Sequence, residues 1–244
     1  MVLDSRFDVG ADTVHPRAQT WVPETRFGTW FQRTRIWQRY VVDAAMSDVT
    51  SRVLEADRRT SVILDAGCGA GAAFAGLTAH FRTERIVGVD VDPLQVGRAR
   101  TAAAACRVPV ELRCEDLRDL AIEDSSIDLI WCHQTLHHTS DQIAVLRELR
   151  RVLRSGGMLL LAESCRAFTH SLRVRMLFRH PAHAQRSADD YLDLVRSAGF
   201  HCDPNHVWMP DPFWSRPDFG FREWIGHPTS RKRGREAELQ LVAT

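Results

Sequence analysis

The sequence has no CxxC pair among its six cysteines, no apolar run long enough to cross a bilayer, and a formal net charge of only +1. Each absence removes a class of protein. Cys68, Cys106, Cys114, Cys132, Cys165 and Cys202 are scattered, several inside apolar runs. That pattern suits reduced thiols rather than a disulfide framework or a zinc knuckle. The first twenty residues carry early acids and no apolar h-region, so no secretory signal is expected. The expected location is the cytoplasm. With 32 basic side chains against 31 acidic ones, the chain has no general field that would draw it to nucleic acid. It shows no internal repeat and no low-complexity segment.

What is present describes a globular chain. Its 244 residues are 44% hydrophobic and 26% charged, enough to bury roughly three-quarters of the unfolded surface in one large domain. Residues 1–25 are polar, with Pro16 and Pro23, and read as a loose arm. In 29–46, Trp30, Thr34, Trp37, Val41 and Ala44 recur at helical spacing with Arg33, Arg35 and Arg39 between them. The expected division is therefore an arm and helix over 1–50 and a main domain over 51–244.

From there the rhythm changes. Short apolar runs at Ser61–Ala66, Arg85–Asp90, Val110–Cys114, Ile127–Cys132 and Met158–Glu163 read as strands. Helical segments separate them, including an alanine-rich stretch over 97–106 and Gln142–Leu153, which Thr139, Ser140 or Asp141 can cap. Such alternation implies parallel strands joined by right-handed crossovers, with a ligand crevice at their carboxyl ends. A basic and aromatic insert, Arg166–Arg186, follows. Ser187 with Asp190 then opens another helix, ending near Gly199. The tail holds Trp208, Trp214 and Trp224, a basic run Arg231–Arg235 read as a solvated turn, and a strand-like Glu238–Ala243.

The sharpest local feature is Val62-Ile-Leu-Asp65-Ala-Gly67-Cys68-Gly69-Ala-Gly71, a strand running into a turn with three alternate glycines. Glycine admits a positive φ and lets a ligand approach the backbone. Gly67, Gly69 and Ala72 also fit the dinucleotide fingerprint G-x-G-x-x-A, so the turn alone does not choose a ligand. Its neighbours are more telling. Asp65, two residues before the first glycine, would repel a pyrophosphate and attract an ammonium. Asp90 ends the next strand in Val87-Gly-Val-Asp90 and can accept both ribose hydroxyls, a position shared with NAD sites. Asp92 is the better cap for the helix after it. Cys114-Glu115-Asp116-Leu117 closes the third strand, where a carboxylate can accept from an adenine amino group with the Leu117 N–H facing the ring. Carboxylates after three successive strands suit a cationic sulfonium amino acid better than a dianion.

With these pieces the chain resembles the class I S-adenosylmethionine-dependent methyltransferases, especially the small-molecule branch that includes quinone-biosynthesis enzymes. The likeness covers roughly residues 60–200. It extends through Ser126-Ile-Asp128-Leu-Ile, Leu136-His137-His138, Leu146-Arg-Glu148-Leu-Arg-Arg151-Val-Leu-Arg-Ser-Gly156-Gly157 and Ala198-Gly199-Phe200. It implies an α/β, doubly wound, Rossmann-like sheet of seven mostly parallel strands with an antiparallel last strand. Cys202–Met209 and Glu238–Ala243 would close that sheet as a hairpin, under an N-terminal helical lid. It implies S-adenosyl-L-methionine as cofactor, with Gly67, Cys68 and Gly69 shaping its loop. Asp65 would stand at the mouth, Asp90 and Val91 at the ribose, Asp116 and Leu117 at the adenine, and His133 near the methionine portion.

Histidine chemistry is less determined. His133 or His138 can serve as a general base, while His137 reads as structural. His133 and His137 are four apart, but no clear third ligand lies nearby, so no metal is expected. His180 and His183 lie in the insert, which spans the acceptor side near 164–186. The expected partner is a small, apolar acceptor bound among the N-terminal helix, the insert and the tryptophan-rich tail, and not nucleic acid. No Asn/Asp-Pro-Pro-Tyr/Phe motif for base flipping is present. The basic and aromatic segments also suit peripheral contact with a membrane surface. The chain is expected as a monomer or homodimer. An NAD-dependent oxidoreductase and a non-catalytic cofactor-binding module are the alternatives; neither Tyr40 nor Tyr191 begins a Tyr-x-x-x-Lys pair.

Overall fold

The five apolar runs become the parallel strands of one sheet: β1 (Val62–Ala66), β2 (Arg85–Asp90), β3 (Val110–Cys114), β4 (Ile127–His133) and β5 (Leu153–Ser164). The computed structural model describes residues 21, 23–53, 60–179, 181, 184–210 and 237–244. Most of the N-terminal arm with Pro16, together with His180, His183, Trp214, Trp224 and Arg231–Arg235, lies outside the described residues.

Two further strands, β6 (Val207–Trp208) and β7 (Glu238–Ala243), complete the sheet in the order β3-β2-β1-β4-β5-β7-β6. Strand β1 lies parallel to both β2 and β4, with Asp65 opposite Gly88 on one side and Trp131 on the other. Strand β7 is antiparallel to β5 and to β6. This is the seven-stranded, mostly parallel arrangement with an antiparallel last strand. Strand order reverses at β1, which opens a crevice above its carboxyl end.

Both faces of the sheet are covered because its central strands are apolar on both sides. On one face α6 (Gln142–Val152) and α9 (Ala188–Ser197) bury Val145, Leu146, Leu149, Tyr191 and Val195 against Leu64, Ile130 and Leu159. On the other, α3 (Asp43–Val53), α4 (Phe74–His80) and α5 (Pro93–Ala104) pack Met46, Val49, Phe74, Leu77 and Ala99 against Ile63, Leu129 and Trp131. Each fully buried leucine or isoleucine contributes about 2 kcal/mol of transfer free energy. The caps follow their chemistry. Asp92 accepts from Leu94 N–H at 2.8 Å ahead of Pro93, Asp141 accepts from Ala144 N–H at 3.2 Å, and Ser187 with Asp190 forms a reciprocal capping box.

Three elements differ from the sequence reading. The helix expected over 29–46 is broken into α1 (Arg26–Phe31), α2 (Arg35–Trp37), a wide π-type turn Gln38–Val42, and α3. Thr34 breaks it: its hydroxyl donates to Phe31 C=O at 2.7 Å and accepts from Trp37 N–H at 3.2 Å, ending one helix and capping the next. Strand β5 begins at Leu153 rather than Met158, because Gly156, at φ 71, lets Arg154-Ser155-Gly156-Gly157 continue the strand through an irregular register. Within Cys202–Met209 only Val207–Trp208 is strand, since Pro204 holds a single 3-10 turn before it. The insert forms two short helices, α7 (Arg166–Thr169) and α8 (Leu172–Leu177). No helix among the described residues is long and apolar enough to cross a membrane.

Candidate functional site

The glycine turn after β1 stands at the head of the crevice. Gly67 N–H and Cys68 N–H both donate to Val89 C=O, at 2.8 and 2.9 Å, so the turn is pinned to β2. Gly67 has φ +80, and a Cβ there would strike the Thr135 hydroxyl. Gly69 has φ +51 and faces open space: nothing lies within 4 Å of where its Cβ would be. Its N–H donates to Asp90 Oδ2 at 2.8 Å, and Asp92 N–H donates to Asp90 Oδ1 at 2.9 Å. Asp90 is thus clamped in place with lone pairs on both oxygens still to spend.

A cavity of about 720 Å³ opens over these groups. Asp65, Gly67, Cys68 and Gly69 line it from β1 and its turn, Asp90 and Val91 from the end of β2, and Asp116 and Leu117 from beyond β3. His133 and His138 line it from beyond β4. All ten residues singled out in the sequence therefore meet at one place. Glu115 does not: it accepts from Ala121 N–H at 3.0 Å and pairs with Arg113 instead. A larger, open cleft of about 1030 Å³ lies beyond the glycine turn, between the N-terminal helices and α4 and α5. None of the three strand-end aspartates lines it; all three line the smaller cavity.

The charges in the cavity are unusual. Asp65 is 3% exposed, and its Oδ2 has no hydrogen-bond partner among the described residues. Burial, with the Asp90 carboxylate nearby, pushes its pKa up to about 8. Burial also raises Asp90, against the backbone N–H groups that hold its charged form. Asp116 is gripped by the Arg118 guanidinium, with Nη2 2.7 Å from Oδ2. The His133 ring stacks on Trp131 at 5.4 Å and tilts toward Trp37 at 6.3 Å. Its Nε2 is buried without a partner among the described residues, and burial, with His137 adding to it, holds its pKa down to about 3. His133 is therefore a neutral imidazole at ordinary pH.

Beneath the histidines lies a network that sequence reasoning did not find. Glu163 on β5, fully buried, takes Thr135 N–H and Leu136 N–H on Oε1, both at 2.7 Å, and His137 Nδ1 on Oε2 at 2.7 Å. His137 is thus structural, and the loop after β4 is tied to the next strand. Gln134, at φ 52, was also missed. Its Oε1 accepts from Ser164 at 2.6 Å, while its buried Nε2, without a partner among the described residues, stands in the cavity wall. Nothing in the sequence marks a glutamine one residue past a strand as special. Glu24 was missed for the same reason: its carboxylate accepts from Thr25 N–H and from Arg179 N–H far along the chain.

The opposite wall is aromatic. Trp21, Trp30 and Trp37 line the cavity, and Trp21 bridges Thr139 across its rim. Among the described residues no group of three His, Cys, Asp or Glu side chains is arranged to hold a metal ion.

A mostly parallel sheet with this reversal, carrying a glycine turn and three strand-end aspartates at its crevice, is a doubly wound, Rossmann-like α/β domain. Residues 64–161 match the family described as a methyltransferase domain. The chain is 27% identical over 177 residues to a tocopherol O-methyltransferase of Arabidopsis thaliana, covering 66% of this chain and 50% of that protein. It is 36% identical over 129 residues to a malonyl-[acyl-carrier protein] O-methyltransferase of Dechloromonas aromatica, covering 53% of this chain and 43% of that protein. These matches span about half the length of the two relatives. In fold, an S-adenosylmethionine-dependent methyltransferase of Mesorhizobium loti superposes with a TM-score of 0.59 at 18% identity, over 81% of this chain and 95% of that one. The chain thus carries a methyltransferase domain over residues 64–161 and is similar in sequence to S-adenosylmethionine-dependent methyltransferases, whose fold it shares. The cofactor of that family is S-adenosyl-L-methionine.

Proposed function

We propose that the protein transfers a methyl group from S-adenosylmethionine to a small, apolar metabolite held against the tryptophan wall. The observation that carries this reading is Asp65. A buried carboxylate with one oxygen unpartnered is costly unless a cationic group completes it. A pyrophosphate would make that cost worse, and an amino-acid ammonium would remove it. The neighbouring groups fit the same ligand. Asp90 has acceptor capacity for two ribose hydroxyls, the open face of Gly69 leaves room for a nucleoside, and Asp116, held by Arg118, borders the cavity where the adenine would lie.

When bound, the cofactor supplies a methyl group already activated by sulfonium. The chain's own task is then to align the acceptor, exclude water and surround the reacting centre. Trp21, Trp30 and Trp37 give the acceptor an apolar wall. His133, held neutral between two tryptophans, offers a fixed polar atom rather than a useful base. His138 is the imidazole assigned to any proton the acceptor loses. All six cysteines are free thiols, which supports a reducing, cytoplasmic setting.

Isothermal titration with S-adenosylhomocysteine tests the site, and mass spectrometry of a host metabolite extract tests the reaction. Binding is expected, with Asp90→Ala weakening it about tenfold to a hundredfold. One metabolite should gain the mass of one methyl group. Binding of NADH in place of S-adenosylhomocysteine, or an Asp90→Ala variant of unchanged affinity, overturns the reading.

A further inference from the structure

Nine large hydrophobic side chains are exposed among the described residues, and all but Leu94 and Met209 lie on two segments, 25–42 and 164–179. Trp30 is 59% exposed, Ile36 56%, Leu172 73% and Met176 67%. The same two segments each carry four arginines, and neither holds an aspartate or a glutamate. In a chain of net charge +1 that is a strong local imbalance.

The two segments form one platform. Phe27 of α1 meets Phe178, just past α8, edge-on at 5.8 Å, and Phe31 meets it at 5.9 Å. The Thr25 hydroxyl donates to Leu177 C=O at 2.5 Å, and Arg179 N–H donates to Glu24 at 2.8 Å. Val174 faces inward at 5% exposure, while Leu172 and Met176, four apart on α8, face outward.

Exposed apolar side chains interleaved in sequence with arginines match a particular environment. A polyanionic nucleic acid would satisfy the arginines and leave Ile36, Leu172 and Met176 in water. The headgroup layer of an acidic bilayer takes both: aliphatic and aromatic tips enter the acyl boundary while arginine stems lie along it with their charges on phosphate. We propose that this platform docks the protein on an anionic phospholipid bilayer. Trp30, Ile36, Leu172 and Met176 sit at the boundary, and Arg35, Arg39 and Arg175 lie on lipid phosphates. Trp30 and Arg33 also line the cavity, so docking sets its mouth against the membrane. The docking itself does not rest on methyl transfer; on that reading it would present a bilayer-dissolved acceptor.

Flotation of the full chain with phosphatidylcholine vesicles, with and without phosphatidylglycerol, tests it. Binding should require phosphatidylglycerol and fall with added salt. R35Q/R39Q/R175Q should weaken it about a hundredfold, at roughly one arginine's contribution per site. L172S/M176S should weaken it about tenfold and remove the blue shift of tryptophan emission. None of these five residues lines the cavity, and unchanged urea midpoints establish that the variants fold. Three results overturn the proposal: no binding to phosphatidylglycerol vesicles at low salt, binding that both variants retain, or vesicles ignored while L172S/M176S converts a dimer to a monomer. Capture of a short RNA duplex in place of vesicles overturns it as well.

Discussion

Along the strand-end wall of the cavity, polar groups are held by bonds between neighbouring strands and turns, whereas the facing wall is held by bonds between segments 152 and 155 residues apart. Asp90 is fixed by Gly69 N–H and Asp92 N–H, and the glycine turn by Val89 C=O. The aromatic wall instead hangs on Thr25 with Leu177, Glu24 with Arg179, and rings that cross from α1 to Phe178. One wall comes from short-range backbone chemistry on a rigid sheet. The other comes from tertiary contacts between short helices. A site built this way can keep the ligand of its strand-end wall while the aromatic wall changes freely.

The most damaging way to break that contrast is at Glu163, which ties the loop after β4 to the sheet. Glu163→Ala strands the buried Leu136 N–H, the partly buried Thr135 N–H and the His137 ring. It should cost about 3–5 kcal/mol in a urea melt, a large share of the stability of a typical domain. Glu163→Gln keeps one acceptor oxygen and should fall between. If Glu163→Ala melts like the parent protein, the loop is not held by this carboxylate and the strand-end wall is less rigid than argued.

Asp65 sharpens the comparison through pH. Its folded pKa, about 8, lies above that of an ordinary carboxyl. The empty fold therefore favours the protonated form. The stability this group contributes is fully present below its unfolded value and is lost as pH rises toward 8. An ammonium ligand reverses the preference. S-adenosylhomocysteine affinity should then rise with pH up to about 8, by at most about tenfold per unit, with close to one proton released on binding at neutral pH. Titrations in two buffers of different ionisation enthalpy measure that proton, and Asp65→Asn should abolish it. His133, with its pKa near 3, adds nothing in that window. A flat profile would mean that Asp65 stays neutral and merely donates to the ligand.

The same contrast explains what the sequence made legible. The strand runs, the glycine turn and the aspartates at or just past the ends of β1, β2 and β3 could be read because each is placed within a few residues of a strand end. The last strand could be read because Glu238–Ala243 is strand-like, while its antiparallel direction came only from the family resemblance. The break at Thr34 could not, because a hydroxyl's choice between continuing and capping a helix depends on what the next turn packs against. Glu163, Gln134 and Glu24 were invisible for a related reason. Their partners lie 27, 30 and 155 residues away in chain, and only the fold brings them together.

The smallest expected effect is the cleanest separation of the two walls. Glu24 is partly buried, which raises its carboxyl pKa against the backbone N–H groups it accepts from. Glu24→Ala frees Arg179 N–H and Thr25 N–H, both near enough to the surface to find water, so the melt should shift by no more than about 1 kcal/mol. It should raise acceptor KM a few-fold by loosening α1 from the residues after α8. S-adenosylhomocysteine affinity should stay within about twofold, because sites without shared partners are close to additive. Equal losses of cofactor and acceptor binding would show the walls to be one cooperative unit. In that case the glycine turn would depend on the N-terminal helices for its shape, as well as on β2.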